Sequence, residues 1–160
     1  MSPPINPAGP SGFTATKDAK LMAALHEQAF AAAWTQTAFA DLLAKPTCHA
    51  FAALDETQWR GFILLQGPDA PHGDGPTEME ILTLAVHPAA RRRGIGKALI
   101  THAAAELSAG KIMLEVASDN EAALALYAAC GFRTEGRRHA YYKRPDGRRV
   151  DGLLMHAFFS

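Results

Sequence analysis

The stretch VHPAARRRGIGKALI, residues 86–100, places three consecutive arginines and two closely spaced glycines between an apolar segment and a run with helical apolar spacing. Close packing would ordinarily exclude that composition from such a junction. A turn that opens a helix presents unpaired backbone N–H groups and the positive end of the helix dipole, so phosphate oxygens are its natural ligand. Gly94 and Gly96 lack a Cβ and let an anion approach the main chain, while Arg91, Arg92 and Arg93 supply countercharge. A diphosphate fits this composition, and a solvated arginine-rich surface turn fits it as well. A Walker loop is excluded, because the glycine-to-lysine spacing and the following Ser/Thr are missing. A dinucleotide fingerprint is weak, because GxGxxG needs a third glycine.

Upstream of the turn, EMEILTLAV (78–86) reads as a mostly apolar strand. Downstream, Ile95, Leu99, Ala103 and Leu107 line one helix face, which Gly110 is expected to close. KIMLEV (111–116) is a further strand, SDN supplies capping residues, and EAALALYAAC (121–130) is a helix stopped by Gly131. FRTEGRRHAYY and RRVDGLLMHAFF flank the turn signal KRPDG and form a closing hairpin. Toward the N-terminus, FTAT is a short strand. Leu21, Leu25 and Ala29, with Met22 beside them, predict a first helix, and Thr35 caps a second that carries Phe39, Leu42 and Leu43 before Pro46. TCHAFAAL and WRGFILLQ, joined by DETQ, predict an antiparallel pair, followed by a Gly/Pro loop over 67–77.

The order β-α-α-β-β-β-α-β-α-β-β predicts an α/β (α+β) domain, a mixed sheet with helices on both faces. The crossovers through the third and fourth helices are expected to join parallel neighbours. Residues 1–12, with four prolines, read as a flexible leader and 13–160 as one domain.

The 160 residues are 48% hydrophobic and 20% charged, which is ordinary globular usage. Sixteen Lys plus Arg balance sixteen Asp plus Glu, so no global field draws the chain to nucleic acid or membrane. Cys48 and Cys130 do not suggest a disulfide framework, no apolar run approaches the ~18 residues of a membrane span, and a cytoplasmic location is the expectation. The seven histidines are scattered without HxxxH or CxxC spacing, so no metal is expected.

RRRGIG, Arg91 to Gly96, resembles the Q/R-x-x-G-x-G/A signature of the GNAT acetyltransferases, and LEVASDNEAALALYAACGF resembles their N-x-x-A-x-x-x-Y-x-x-x-G-F region. The resemblance implies a sheet of about seven strands whose fourth and fifth members splay apart around the pantetheine arm of acetyl-CoA. Leu84, Ala85 and Val86 would then lie beside pantetheine and thioester, with the Leu84 N–H a candidate oxyanion donor. The pyrophosphate would rest on the backbone from Arg92 through Gly94, Ile95 and Gly96 to Lys97. Without the resemblance, LAV is simply core strand.

Acetyl transfer needs a neutral amine, an exit for its proton and a proton for the departing thiolate. Glu115 interrupts the apolar strand IMLEV, where a carboxylate is partly desolvated. A salt-bridged edge glutamate fits the same pattern, and the match to the base position of one GNAT subgroup decides for the base. Asn120 and Tyr127 share a helix face, about 10.5 Å apart, with small Ala123 between them. Under the resemblance Asn120 bonds a pantetheine amide and Tyr127 is the general acid; otherwise they are a cap and a core aromatic. Glu80, on the fourth strand, is the rival base.

Beyond these signatures, EQAFAAAWTQTAF, LEV, ALYAACGF and YYKRPDGRRVDGLLM resemble the RimI-type protein N-alpha-acetyltransferases, which act on the N-terminal alanine of a small-subunit ribosomal protein. The chain departs from that pattern at Ala117, in AAAW, and in its longer 66–77 loop, differences that bear on the acceptor and not on acetyl-CoA. An α-amine, at a pKa of about 7.7–8.0, costs roughly 1 kcal/mol to neutralise at pH 7, against roughly 4.6 for lysine. A water-linked carboxylate serves the first more readily. A protein N-terminus is therefore the expected acceptor, with Trp34, Tyr141 and Tyr142 as candidate walls of its groove. The alternatives are a small-molecule amine and a non-catalytic acyl-CoA-binding module. The basic segments RRRGIGK and GRRHAYYKRPDGRR are expected to bind phosphate and to be solvated, respectively, rather than to hold nucleic acid stably.

Overall fold

A computed structural model describes residues 10–68 and 75–160. Most of the expected leader and the middle of the expected Gly/Pro loop lie outside the described residues. The chain runs β1 (Gly12–Ala15), α1 (Ala19–Ala29), α2 (Gln36–Leu43), β2 (Cys48–Asp55), β3 (Gln58–Gln66), β4 (Thr77–Val86), a 3-10 turn (Pro88–Ala90), α3 (Ile95–Glu106), β5 (Ala109–Ala117), α4 (Glu121–Ala129), β6 (Arg133–Lys143) and β7 (Arg149–Phe158). The strands form one seven-stranded sheet in the order β1-β2-β3-β4-β5-β7-β6.

The crossover through α3 makes β4 and β5 parallel neighbours, as the element order predicts. The crossover through α4 does not. It carries the chain past one position, and β7 returns into that place, antiparallel to both β5 and β6. The hairpin turn over residues 144–148 cannot reveal this insertion, because either strand of the hairpin satisfies the same local pattern.

Helices cover both faces. On one, α3 and α4 bury Ile95, Leu99, Ala103 and Tyr127 against Ile63, Ile112, Leu114 and Val116. On the other, α1 and α2 bury Met22, Leu25, Phe39 and Leu43 against Phe62, Leu64 and Ala85. The inward stripe of α1 is Met22, Leu25 and His26, whereas Leu21 is 44% exposed, so the expected Leu21-centred face is rotated by one residue. The reason is His26: an aromatic nest of Phe30, Trp34, Phe39 and Phe62 accepts its ring, which periodicity in apolar residues does not register.

The caps follow the sequence. Asp18 accepts from the Leu21 N–H, Thr35 from Ala38 and Asn120 from Ala123, each satisfying an otherwise orphaned donor. Gly131 ends α4 at φ +88°. Gly110 does not close α3. Ser108, at φ +49°, turns the chain, and Gly110 belongs to β5, where Pro76 leaves no room for a Cβ.

Candidate active site

Strands β4 and β5 pair from Thr77/Ala109 to Glu80/Met113 and then part. Beyond that rung β4 keeps its partner on the other side, with Ile63, Phe62 and Gly61 opposite Leu84, Ala85 and Val86. Its edge toward β5 is left without a strand. A register shift in β4 between the partners of Leu64 and Leu65 marks a bulge just before this point. It changes which residues face which layer: Met79 and Ile81 join the α3/α4 core, as do Leu84 and Val86 farther on, while Ala85 joins the α1/α2 core.

A cleft of about 580 Å³ opens at the parting. Its walls bring together Leu84, Ala85 and Val86 from β4, and Arg91, Arg92, Gly94, Ile95 and Gly96 from the turn into α3. Asn120, Ala123 and Tyr127 close it from α4. Residues separated by more than forty positions in sequence thus share one surface. Arg93, Lys97 and Glu115 do not line it.

The turn has the geometry of an anion nest. Arg92 and Gly94 lie at φ +66° and +74°, and the helix that follows has no side-chain cap at its first turn. Gly94 is required by its dihedral alone, since a Cβ there would meet open space. Gly96 has a different reason. A Cβ on Gly96 would stand 2.9 Å from Leu126 Cδ2, so this glycine also permits α4 to approach α3. The uncovered nest, its flanking arginines and the free edge of β4 fit a diphosphate joined to an extended amide arm.

Asn120 caps α4, its Oδ1 accepting from the Ala123 N–H at 3.2 Å, and the residue also lines the cleft. Tyr127 is 8% exposed, and burial pushes its hydroxyl up to about 12, so it holds its proton throughout the neutral range.

Glu115 projects from the opposite face of β5. Its neighbours Leu114 and Val116 are in the α3/α4 core with Tyr127, and side chains alternate along a strand. The Arg138 Nε approaches Glu115 Oε1 to 2.6 Å, yet that oxygen has no aligned hydrogen-bond donor; the guanidinium N–H does not point along the contact. Tyr142 stands on the same side, and burial first, with the Glu115 charge second, holds its hydroxyl above the ordinary value. Glu80 is exposed and lines a separate depression with Met113 and Thr77 at the paired end of the strands.

Several contributors carry no sequence signal. Phe30 reaches the cleft from just beyond α1, where the backbone is already extended and outside the helical period. His26 ties the same segment to β4. The Trp34 backbone N–H donates to its Nδ1 at 3.1 Å, so the proton sits on Nε2, which donates to Thr83 Oγ1 at 3.2 Å. Burial lowers this histidine to about 4. The ring of Trp34 packs on His26 and Phe39, and Tyr141 and Tyr142 stand perpendicular at 5.0 Å between centroids. Among the described residues no cluster of three or more His, Cys, Asp or Glu could hold a metal ion, and no helix is long and apolar enough to cross a membrane.

Residues 19–132 match the family model described as acetyltransferase (GNAT) family. The chain belongs to this family. It is 35% identical over 134 residues to the N-alpha-acetyltransferase RimI of Mycobacterium tuberculosis, spanning 82% of this chain and 83% of that protein. To the [ribosomal protein bS18]-alanine N-acetyltransferase of Escherichia coli K12 it is 38% identical over 81 residues, 49% of this chain and 54% of that protein. The crystal structure of the ribosomal-protein-S18-alanine N-acetyltransferase from Escherichia coli superposes with a TM-score of 0.79 at 27% identity, covering 93% of this chain and 95% of that one. Arabidopsis thaliana NAA60 in complex with a bisubstrate analogue shares the fold at a TM-score of 0.74 and 22% identity, covering 92% and 98%. This GNAT enzyme is an N-acetyltransferase with acetyl-CoA as its donor.

Proposed function

We propose that the enzyme acetylates the N-terminal α-amine of a protein in the cytoplasm, a ribosomal protein with an N-terminal alanine being the first candidate. The observation that carries this reading is the parting of β4 and β5 with Tyr127 on one face and Glu115 on the other. The likeness to RimI over most of both chains supports the choice of acceptor.

In this reading the nest from Arg92 to Lys97 holds the diphosphate, with Arg91 and Arg93 adding countercharge. The edge of β4 at Leu84–Val86 and the Asn120 amide align the pantetheine arm. The acceptor enters from the Glu115 face. Glu115 takes one proton from the ammonium, directly or through water, and passes it to solvent. The neutral amine attacks the thioester carbonyl carbon, whose oxygen is met by the Leu84 N–H, and the carbon–sulfur bond breaks. Tyr127 donates to the leaving thiolate and is reprotonated at the expense of the new amide nitrogen, so the ammonium loses two protons in all.

The test is thiol release by the full chain with acetyl-CoA and an alanine-starting ribosomal peptide, beside a panel of small amines. Preference for the peptide is expected, with acetylation mapped to its α-nitrogen by mass spectrometry. Preference for a small amine moves the enzyme to the small-molecule class, and no thiol release with any acceptor leaves only acyl-CoA binding.

A further inference from the structure

We propose that Arg138 is an internal placeholder for the acceptor's ammonium group at Glu115, and thereby a positioning and selectivity residue for cationic acceptors. The proposal rests on the reading of Glu115 as the base.

The pair is asymmetric. The Arg138 side chain is 56% exposed and that of Glu115 20%, so a guest can displace the arginine without opening the core. The 2.6 Å contact lacks an aligned hydrogen bond at Oε1, although the Tyr142 hydroxyl hydrogen-bonds the same carboxylate. An ammonium group carries three donors and can turn one of them onto that oxygen. Arg138 has somewhere to go: its guanidinium already stands 5.4 Å from the centroid of the Tyr141 ring, a partner that holds a displaced cation.

The backbone aims this arginine. The β6/β7 register shifts between Arg138 and Tyr142, and Ala140 sits at φ +49°, which re-aims the side chains around the irregularity. Neighbouring arginines on the hairpin are committed elsewhere, Arg137 to Asp151 and Arg144 to Asp119. The acidic group on Arg138 is Glu115.

Charge then sorts the ligands. An α-amine with a pKa of about 7.7–8.0 arrives mainly as a cation at pH 7, and it can exchange with a partly exposed guanidinium. Acetylation removes that charge. The product amide competes poorly for the carboxylate, and Arg138 closes on it once the abstracted proton has left for solvent.

The experiment is calorimetry of an alanine-starting peptide binding to the CoA-saturated full chain. Arg138→Ala is expected to tighten the peptide Kd roughly two- to fivefold, the reach of a partly exposed ion pair, and to leave acetyl-CoA affinity unchanged. Arg138→Lys, which keeps a cation at the site, is expected to lie between. In a Glu115→Gln background the Arg138→Ala change is expected to have no effect on peptide Kd. An unchanged or weakened Kd in Arg138→Ala, or the same gain in both backgrounds, overturns the exchange. Full turnover by Glu115→Gln alone overturns the base assignment instead, so the two failures are told apart.

Discussion

Tyr127 and Glu115 address the same parted rungs of β5 from opposite faces of the sheet: Tyr127 packs with Leu114 and Val116, and Glu115, between those two, points away from them. Under the proposed function, this would give donor and acceptor separate entrances and hold the two ends of the proton path apart by the thickness of one strand.

Because Glu115 lies beyond the last β4/β5 pair and Glu80 on it, removing the two carboxylates is expected to have unequal effects. At saturating acetyl-CoA, Glu115→Gln should lower turnover roughly a hundredfold or more, and Glu80→Gln by far less. A dead Glu80→Gln beside an active Glu115→Gln would move the base to the other strand.

Tyr127, held up to about 12 by burial, keeps its proton at every pH where the enzyme works. A free thiolate of ordinary basicity, about 8.5, does not remove that proton outright, so its transfer to sulfur is coupled to reprotonation of the tyrosine from the new amide nitrogen. Tyr127→Phe should therefore reduce turnover roughly tenfold to a hundredfold with little change in acetyl-CoA affinity. The pH–rate profile of the wild-type chain should show no fall from ionisation of this tyrosine below about pH 11.

Gly94 is needed for its dihedral and Gly96 for the approach of Leu126, so substitutions separate the two. Gly94→Ala should cost about 1–2 kcal/mol and weaken acetyl-CoA binding, and Gly94→Asn should restore part of both, since Asn tolerates the left-handed region. Gly96→Ala meets only the far end of a flexible leucine. It should lower thermal stability slightly while narrowing the cleft, read as a larger loss in acetyl-CoA affinity than in Tm.

His26 is lowered to about 4 by burial, against 6.5 unfolded. The unfolded chain binds more protons between those values, so stability is full above about pH 6.5 and falls as pH drops toward 4. The shift corresponds to roughly 3 kcal/mol at most. Thermal melts of wild type from pH 7 to pH 4.5 should show this loss, and His26→Gln should flatten the slope. It should not abolish it, because burial also lowers His49 and His87. A slope unchanged by His26→Gln would remove this histidine from the account.

What the amino-acid sequence determined by itself is local: the strand, turn and helix around Arg91–Lys97, the caps at Thr35 and Asn120, and the stop at Gly131. Each follows from dihedral limits and orphaned backbone groups within a few residues, which the chain carries wherever it folds. Tertiary structure alone decided where β4 leaves β5, that β7 slips between β5 and β6, that Met22 and His26 rather than Leu21 turn inward, and that Arg138 sits on Glu115. Those choices depend on pairing and packing between segments far apart in the chain, where many partners satisfy the same local pattern and only the closed core selects among them.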